Sequence, residues 1–505
     1  MVNFEADVIV VGGGMSGLTA AIAAAEKGSS VIVLEKGGTT GGAANMGMGF
    51  FAVGSERQKD GMYNYSVDEA FEDFMAYTHW RPDARLVRRI FQQSADTVGW
   101  IEDMGVEFLG AYKYFMESKE TWHIVKAPGS NKPTQRCASI MVKAMTDRAL
   151  ELGVDFRFNS SAKKILMEDG YAAGVLAASD TGEEIEALGN AVIVGTGGFG
   201  NNVDMIKEYL GFEWGKDIFT FRIPGIDGDG MKMVWAAGGA KTGVNMEITY
   251  NTPGTTDIYP TLSETMRQPN LMVNLQGMRF INEYVMMNTT FTGNALLRQK
   301  DRCGFTIIND EILDYYRKHD LDFITHHHAV RAVSDWDREV QAYMKGESIG
   351  TDGLSSLHEI EQMQTNFWIC DNLEDIAKAT GIDLDNLKLT ISEYNAMAGA
   401  YDKEFNKPAQ YMKALYGGKY YVARHFPSGY GSLGGIKTDH NMQVLSCGDE
   451  AIPGLFACGT DACTIFGDSY CFIMPGSTMG FAINSGRIAG YEAAKYLDEQ
   501  FDDFE

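Results

Sequence analysis

The first thirty-five residues restrict the fold more than any other part of the chain. Asp7-Val-Ile-Val-Val-Gly-Gly-Gly-Met-Ser-Gly-Leu18 is an apolar run that breaks into a glycine turn and then into a helical pattern. Val31-Ile-Val-Leu-Glu35 is a second apolar run closed by an acid. Strand, glycine turn, helix, strand, acid is the order of a parallel βαβ unit that holds a dinucleotide. Gly12 permits the tight turn, Gly14 lets the backbone approach a pyrophosphate, and Gly17 lets the helix pack close to the strand. The helix starts at Met15 and Ser16, where unpaired N–H groups attract phosphate. Glu35 is placed to accept hydrogen bonds from the adenosine ribose hydroxyls.

The chain has 505 residues, too many for one core, so two domains are expected. Its 45% hydrophobic and 22% charged content is that of a soluble globular protein. A net charge of −25 argues against nucleic acid or an anionic membrane as partner. Seven cysteines are scattered, without a C-x-x-C pair, which suits a reducing cytoplasm. The first strand begins too early to leave room for a signal peptide, and no apolar stretch reaches the ~18 residues of a membrane span.

Further along, residues 37–50 form a glycine-rich loop expected to lack regular structure. Residues 68–104 read as helices, with Phe71, Phe74, Met75, Ile90, Val98 and Ile101 at helical spacing, and 134–153 as another. Val154–Leu166 reads as a strand, and 172–178 with 184–188 as a hairpin around Asp180-Thr-Gly182. Ala191-Val-Ile-Val194 is a buried parallel strand entering a second glycine turn, Thr196-Gly-Gly-Phe-Gly200. Asp227 reads as the cap of a helix to Ala237. From about 245 to 430 the chain turns richer in aromatics and methionine. The glycine-turn style returns at 432 and ends in a helix to about Leu497, followed by a frayed acidic tail.

Three segments together resemble the fumarate reductase/succinate dehydrogenase flavoprotein family and its ketosteroid dehydrogenase members. They are Gly12–Glu35 with Gly41-Gly42, the Thr196–Gly200 turn, and Gly454-Leu-Phe-Ala-Cys-Gly459 with Gly476-Ser-Thr-Met-Gly480 and Ser485-Gly-Arg-Ile-Ala489. Gly228-Asp-Gly230 and Gly277-Met-Arg-Phe-Ile-Asn-Glu283 match further family blocks. The resemblance implies an α/β fold: a split Rossmann-like FAD-binding domain (1–244 and 432–505) with an inserted α+β capping domain (245–431). It implies FAD held by Gly12, Gly14, Met15, Ser16, Gly17, Glu35, Lys36, Gly41, Gly42, Ala43, Ala162, Thr196, Gly197, Gly198, Asp229, Gly459, Thr460, Asp461, Ser477 and Thr478. No histidine lies in residues 41–50, so the flavin is expected to be non-covalent. The helix starting near Ser477 is expected to aim its positive end at the flavin pyrimidine, where charge builds on reduction.

The substrate positions depart from the fumarate reductases, which hold a dicarboxylate with two histidines and two arginines. Counting from the family blocks, those places fall on Tyr250, Met287, Tyr430-Gly431 and Ile473. A buried carboxylate needs cations, and these residues supply none. Fumarate is therefore rejected as substrate. The tyrosine-dependent ketosteroid enzymes of the family polarise a neutral carbonyl with phenols and a glycine N–H. Tyr250, Tyr470 and Tyr430 are the candidate phenols here, and Gly476 matches the carbonyl-binding glycine.

The expected reaction is reduction of an α,β-unsaturated carbonyl, or its reverse, on an apolar ketosteroid-like substrate. One tyrosine and the Gly476 N–H bind the oxygen and another tyrosine delivers the proton. The rival readings are an unsaturated carboxylate reductase using a cation such as Arg222 or Arg298, and an electron-transfer subunit with no substrate of its own. The electron donor or acceptor is external and its identity open. Arg279 and Glu283 read as a structural ion pair, and His326-His-His328 lacks any metal-binding frame, so no metal is expected.

Overall fold

Short apolar runs become strands buried on both faces, which is why they do not alternate. Val8–Val11, Val31–Leu34 and Ala191–Val194 are each buried at all four positions. They lie in a six-stranded sheet ordered Gln443–Leu445, Ala451–Ala457, Ala191–Val194, Val8–Val11, Val31–Leu34 and Asp155–Arg157. The last five are parallel, with Val8 opposite both Ala191 and Val31. The computed structural model describes residues 2–220, 223–253, 259–323, 332–347 and 365–502.

The chain divides into two compact units. The first is Met1–Gly211, Phe221–Glu247 and Tyr430–Glu505, and the second is Phe212–Thr220 and Ile248–Gly429. In the first, the helix Met15–Ala25 packs along the closing helix Ser477–Asp502. The contact is close enough to require glycine: a Cβ at Gly486 would overlap the carbonyl of Ser16, and one at Gly490 the carbonyl of Ala20. A four-stranded sheet (Val2–Glu5, Glu184–Leu188, Tyr171–Ser179, Ser160–Glu168) and a three-stranded one (Gly49–Phe51, Trp122–Val125, Phe108–Tyr112) complete this unit.

The second unit is built on antiparallel pairing. Gly304–Asn309 lies between Leu271–Val273 and the residues from Tyr420 of the strand Tyr420–Gly435, which also pairs with Phe367–Cys370. Tyr259, Phe305, Trp336, Phe367 and Tyr394 are the large side chains of its core.

Four local expectations are revised. Val154–Leu166 is two strands in different sheets, Asp155–Arg157 and Ser160–Glu168. The break falls at Asn159, whose φ of 53° no strand residue adopts. Residues 37–50 are partly regular: Gly42–Met46 is a 3₁₀ turn and Gly49–Phe51 a strand, anchored by the buried Phe50 and Phe51. Gly228, not Asp227, caps the helix Asp229–Ala236. The closing helix continues to Asp502.

Candidate functional site

The first glycine turn is shaped by its own backbone. Gly12 has a φ of 99°, and a Cβ at Gly17 would overlap the Gly12 carbonyl, so both must be glycine. The N–H of Gly12 donates to Leu34 O at 2.8 Å. Gly14 caps the helix Met15–Ala25, no side chain caps it, and the space where a Gly14 Cβ would stand is open. A helix N-terminus with an open, side-chain-free approach suits a pyrophosphate.

Glu35 sits beside this turn. Its Oε2 accepts from the Gly13 N–H at 2.7 Å and its Oε1 from the Gly37 N–H at 2.5 Å. A carboxylate has about four acceptor positions, so room is left for ribose hydroxyls. Gly41 bridges Gly14, and its N–H donates to Gly13 O at 2.8 Å, which brings Gly41, Gly42 and Ala43 to the same place. Ala162 is half-buried in a strand whose first residue, Ser160, donates its N–H to Glu35 O at 2.9 Å. Lys36 pairs with Asp227 at 3.0 Å and Asp229 at 2.8 Å, tying the second strand to the helix Asp229–Ala236. These neighbours fit the adenosine and phosphate half of FAD.

The second glycine turn is held by Asp461, which is fully buried. Its carboxylate accepts from the Thr196 N–H and hydroxyl and from the Gly198 N–H at 2.9 Å. Burial raises its pKa and these bonds oppose the rise. Asp461 thus faces the turn at Thr196, Gly197 and Gly198, and Thr460 stands next to it. Gly459 adjoins the first turn, since a Cβ there would overlap Ser16 Oγ.

At the start of the closing helix, Ser477 Oγ donates to Met474 O. Gly476 has a φ of 85°, and its O accepts from the Phe51 N–H at 2.9 Å. Thr478 Oγ1 donates to Glu247 Oε2 at 3.4 Å. Tyr470 is buried beside both. Burial first, then the Glu247 charge, pushes its phenol well above the usual value, with Thr478 acting the other way. Glu247 carried no motif and escapes a sequence reading. Tyr430 differs from Tyr470 in being 48% exposed.

In the second unit Tyr250 is 2% exposed, and its hydroxyl proton meets no acceptor among the described residues. Burial raises its pKa, and Arg267 opposes this by its positive charge and by donating toward the phenol oxygen; the guanidinium lies 5.1 Å from the ring centroid. His425 packs edge-on against Tyr250, 5.4 Å away between ring centroids. His425 bonds Thr252 and Thr306 through its two nitrogens at 2.9 and 2.8 Å, and burial pushes it down to about 3. It is a neutral packing group at pH 7. Met287 and Ile473 are half-buried and uncharged.

The expected pair of Arg279 and Glu283 is present, buried, at 2.8 Å. Asp402 also meets Arg279 at 2.9 Å, and Lys407 lies 3.3 Å from Glu283. All four side chains are at most 1% exposed. Arg298 is exposed, whereas Arg222 and His326–His328 lie outside the described residues.

A glycine-lined cradle on a parallel sheet, closed by an acid on the second strand, defines a dinucleotide-binding oxidoreductase fold. The family model described as FAD binding domain (FAD_binding_2) matches residues 7–471, and the chain belongs to that family. It is 30% identical to the vinyl phenol reductase of Lactiplantibacillus plantarum, over 98% of this chain and 97% of that protein. It is 26% identical to the fumarate reductase (cytochrome) of Shewanella frigidimarina, over 97% of this chain and 77% of that protein. Its fold matches the 3-ketosteroid delta1-dehydrogenase of Sterolibacterium denitrificans with a TM-score of 0.76, at 18% identity, covering 97% of this chain and 99% of that one. The protein is an FAD-dependent oxidoreductase acting on CH–CH bonds. No helix among the described residues is long and apolar enough to cross a membrane.

Proposed function

We propose that this chain, with FAD bound non-covalently, reduces a carbon–carbon double bond conjugated to an uncharged oxygen on an apolar substrate. An enone of the ring-ketone type is the leading class. The reverse dehydrogenation uses the same groups, and a separate redox partner exchanges electrons with the protein.

The reading is carried by the buried Tyr250 hydroxyl, whose own proton meets no acceptor among the described residues and which has the Arg267 guanidinium beside it. Such a group costs about 1–3 kcal/mol to desolvate, which a substrate in need of a proton would offset. The uncharged Met287 and Ile473, where fumarate reductases place arginines, support the same reading.

FAD, when bound, supplies the hydride that goes to the β-carbon. Tyr470 and the Gly476 N–H bind the carbonyl oxygen, and their donors strengthen as charge grows there in the enolate. Tyr250 delivers the proton to the α-carbon as general acid, and Arg267 steadies the phenolate left behind.

A second reading takes a hydroxyaryl alkene, and the full-length likeness to a vinyl phenol reductase favours it. There the oxygen-binding groups hold a phenol in place of a carbonyl, and the acid protonates the terminal carbon.

The test is anaerobic mixing of the reduced holoenzyme with 4-androstene-3,17-dione, 4-vinylphenol or fumarate while flavin absorbance is followed. Rapid reoxidation by one of the two uncharged alkenes is expected, with none by fumarate. Brisk reoxidation by fumarate, or silence with all three, refutes the proposal.

A further inference from the structure

Glu247 is an acid the mechanism above does not use, and its surroundings are unusual for one. It belongs to the first unit, is 6% exposed, and has the Thr478 hydroxyl at 3.4 Å. The titratable groups that face it are Tyr470 and Cys463, both buried. Burial lifts the phenol and the thiol alike, so both are neutral at pH 7. Among the described residues no cation acts on Glu247. An ionised carboxylate without a cation costs several kcal/mol to bury, whereas the acid form avoids that cost and presents a donor.

We propose that Glu247 keeps its proton and, alongside Tyr470, donates a hydrogen bond to an uncharged oxygen of the substrate, so that the site admits ketones and turns away carboxylates. The inference rests on the reading that the substrate oxygen lies at Tyr470 and Gly476.

Three features support it. Thr478 lies two residues beyond Gly476 and touches both Glu247 and Tyr470, which brings the acid of the strand Asn245–Asn251 and the phenol to the start of the closing helix. Burial carries the Glu247 carboxyl up to about 8, with the Thr478 bond acting the other way, so the proton is present at neutral pH. A carboxylic acid kept neutral in an apolar site is an effective donor to an enolate oxygen. A carboxylate ligand in the same place would bring a buried charge with no cation to meet it.

The test uses two inert ligands of equal shape, 2-acetonaphthone and 2-naphthoate, titrated calorimetrically into the oxidised holoenzyme and its Glu247→Gln variant from pH 6 to pH 9.5. The wild-type Kd for the ketone is expected to be flat to about pH 8 and then to rise toward tenfold per pH unit, as Glu247 ionises. The glutamine variant, which cannot ionise and still donates, is expected to bind the ketone with a flat profile. At pH 7 the naphthoate should bind at least ~100-fold more weakly than the ketone, a difference of about 2.7 kcal/mol.

Ketone binding that is flat with pH in the wild type overturns the role of Glu247 and leaves the substrate reading standing. Naphthoate binding as tight as ketone binding also overturns it. Failure of the ketone to bind at any pH refutes the substrate reading, and this inference with it. Infrared difference spectra of the wild-type holoenzyme across the same pH range supply a measurement that needs no variant. A carboxylic C=O band lost above pH 8 supports the proposal, and its absence at pH 7 overturns it.

Discussion

Replacing Glu247 by glutamine should change stability in a way that depends on pH, and the size follows from burial. The folded-state carboxyl sits at about 8, against an ordinary value of 4.5. Its folded pKa is raised, so the folded state binds the proton more tightly than the unfolded chain. The stability tied to that proton is fully present below pH 4.5 and is lost as pH climbs through 8. At about 1.4 kcal/mol per pH unit, the loss is about 3 kcal/mol at pH 7 and approaches about 5 kcal/mol beyond pH 8. Glutamine has the same shape and no proton to lose, so it escapes the penalty. The assay is urea unfolding of both proteins at saturating FAD, followed by flavin fluorescence, at pH 5 and pH 7.5. The advantage of the variant over wild type should grow by about 3 kcal/mol between those two values. A difference that stays constant with pH would show that Glu247 is ionised in the folded state, and the argument for its proton would fail.

Three other outcomes are expected. Tyr250→Phe should lower kcat by about 10²–10⁴-fold with little change in unfolding stability, because the lost hydroxyl donates to no acceptor among the described residues; unchanged turnover would remove Tyr250 from the chemistry. Arg279→Ala leaves Asp402 buried without its cation and Glu283 with Lys407 alone, and should destabilise the second unit by about 3–5 kcal/mol, read by calorimetry. Asp461→Asn loosens the Thr196–Gly198 turn and should weaken FAD binding about 10–100-fold, or about 1.4–2.7 kcal/mol, measured by flavin release on dilution.

Much of the first unit was legible because its signals are local. Gly12, Gly17 and Glu35 lie within one βαβ unit, and each has a steric or hydrogen-bonding task that names its residue type. Asp461 shows where such reading stops: adjacency to Gly459 suggested a cofactor contact, yet its partners at Thr196 and Gly198 come from more than two hundred residues earlier. Glu247 was invisible for the same reason, since an acid in a strand reads as solvated until Tyr470 and Thr478 fold over it. The Gly486 and Gly490 contacts with the opening helix are likewise long-range. Asn159 marks the opposite failure, a single left-handed residue that splits what composition reads as one strand.

The placement of Ala191–Val194 between Val8–Val11 and Ala451–Ala457 has a consequence for biogenesis. A chain leaving the ribosome N-terminus first exposes one apolar margin of this strand until residue 457 has emerged. Unpaired margins of that kind invite wrong partners, so the nascent protein is a natural client for chaperones. The helix that seats against Ser16 and Ala20 arrives later still. The glycine-lined face of the first unit is therefore completed only when the last helix of the chain has closed on the first.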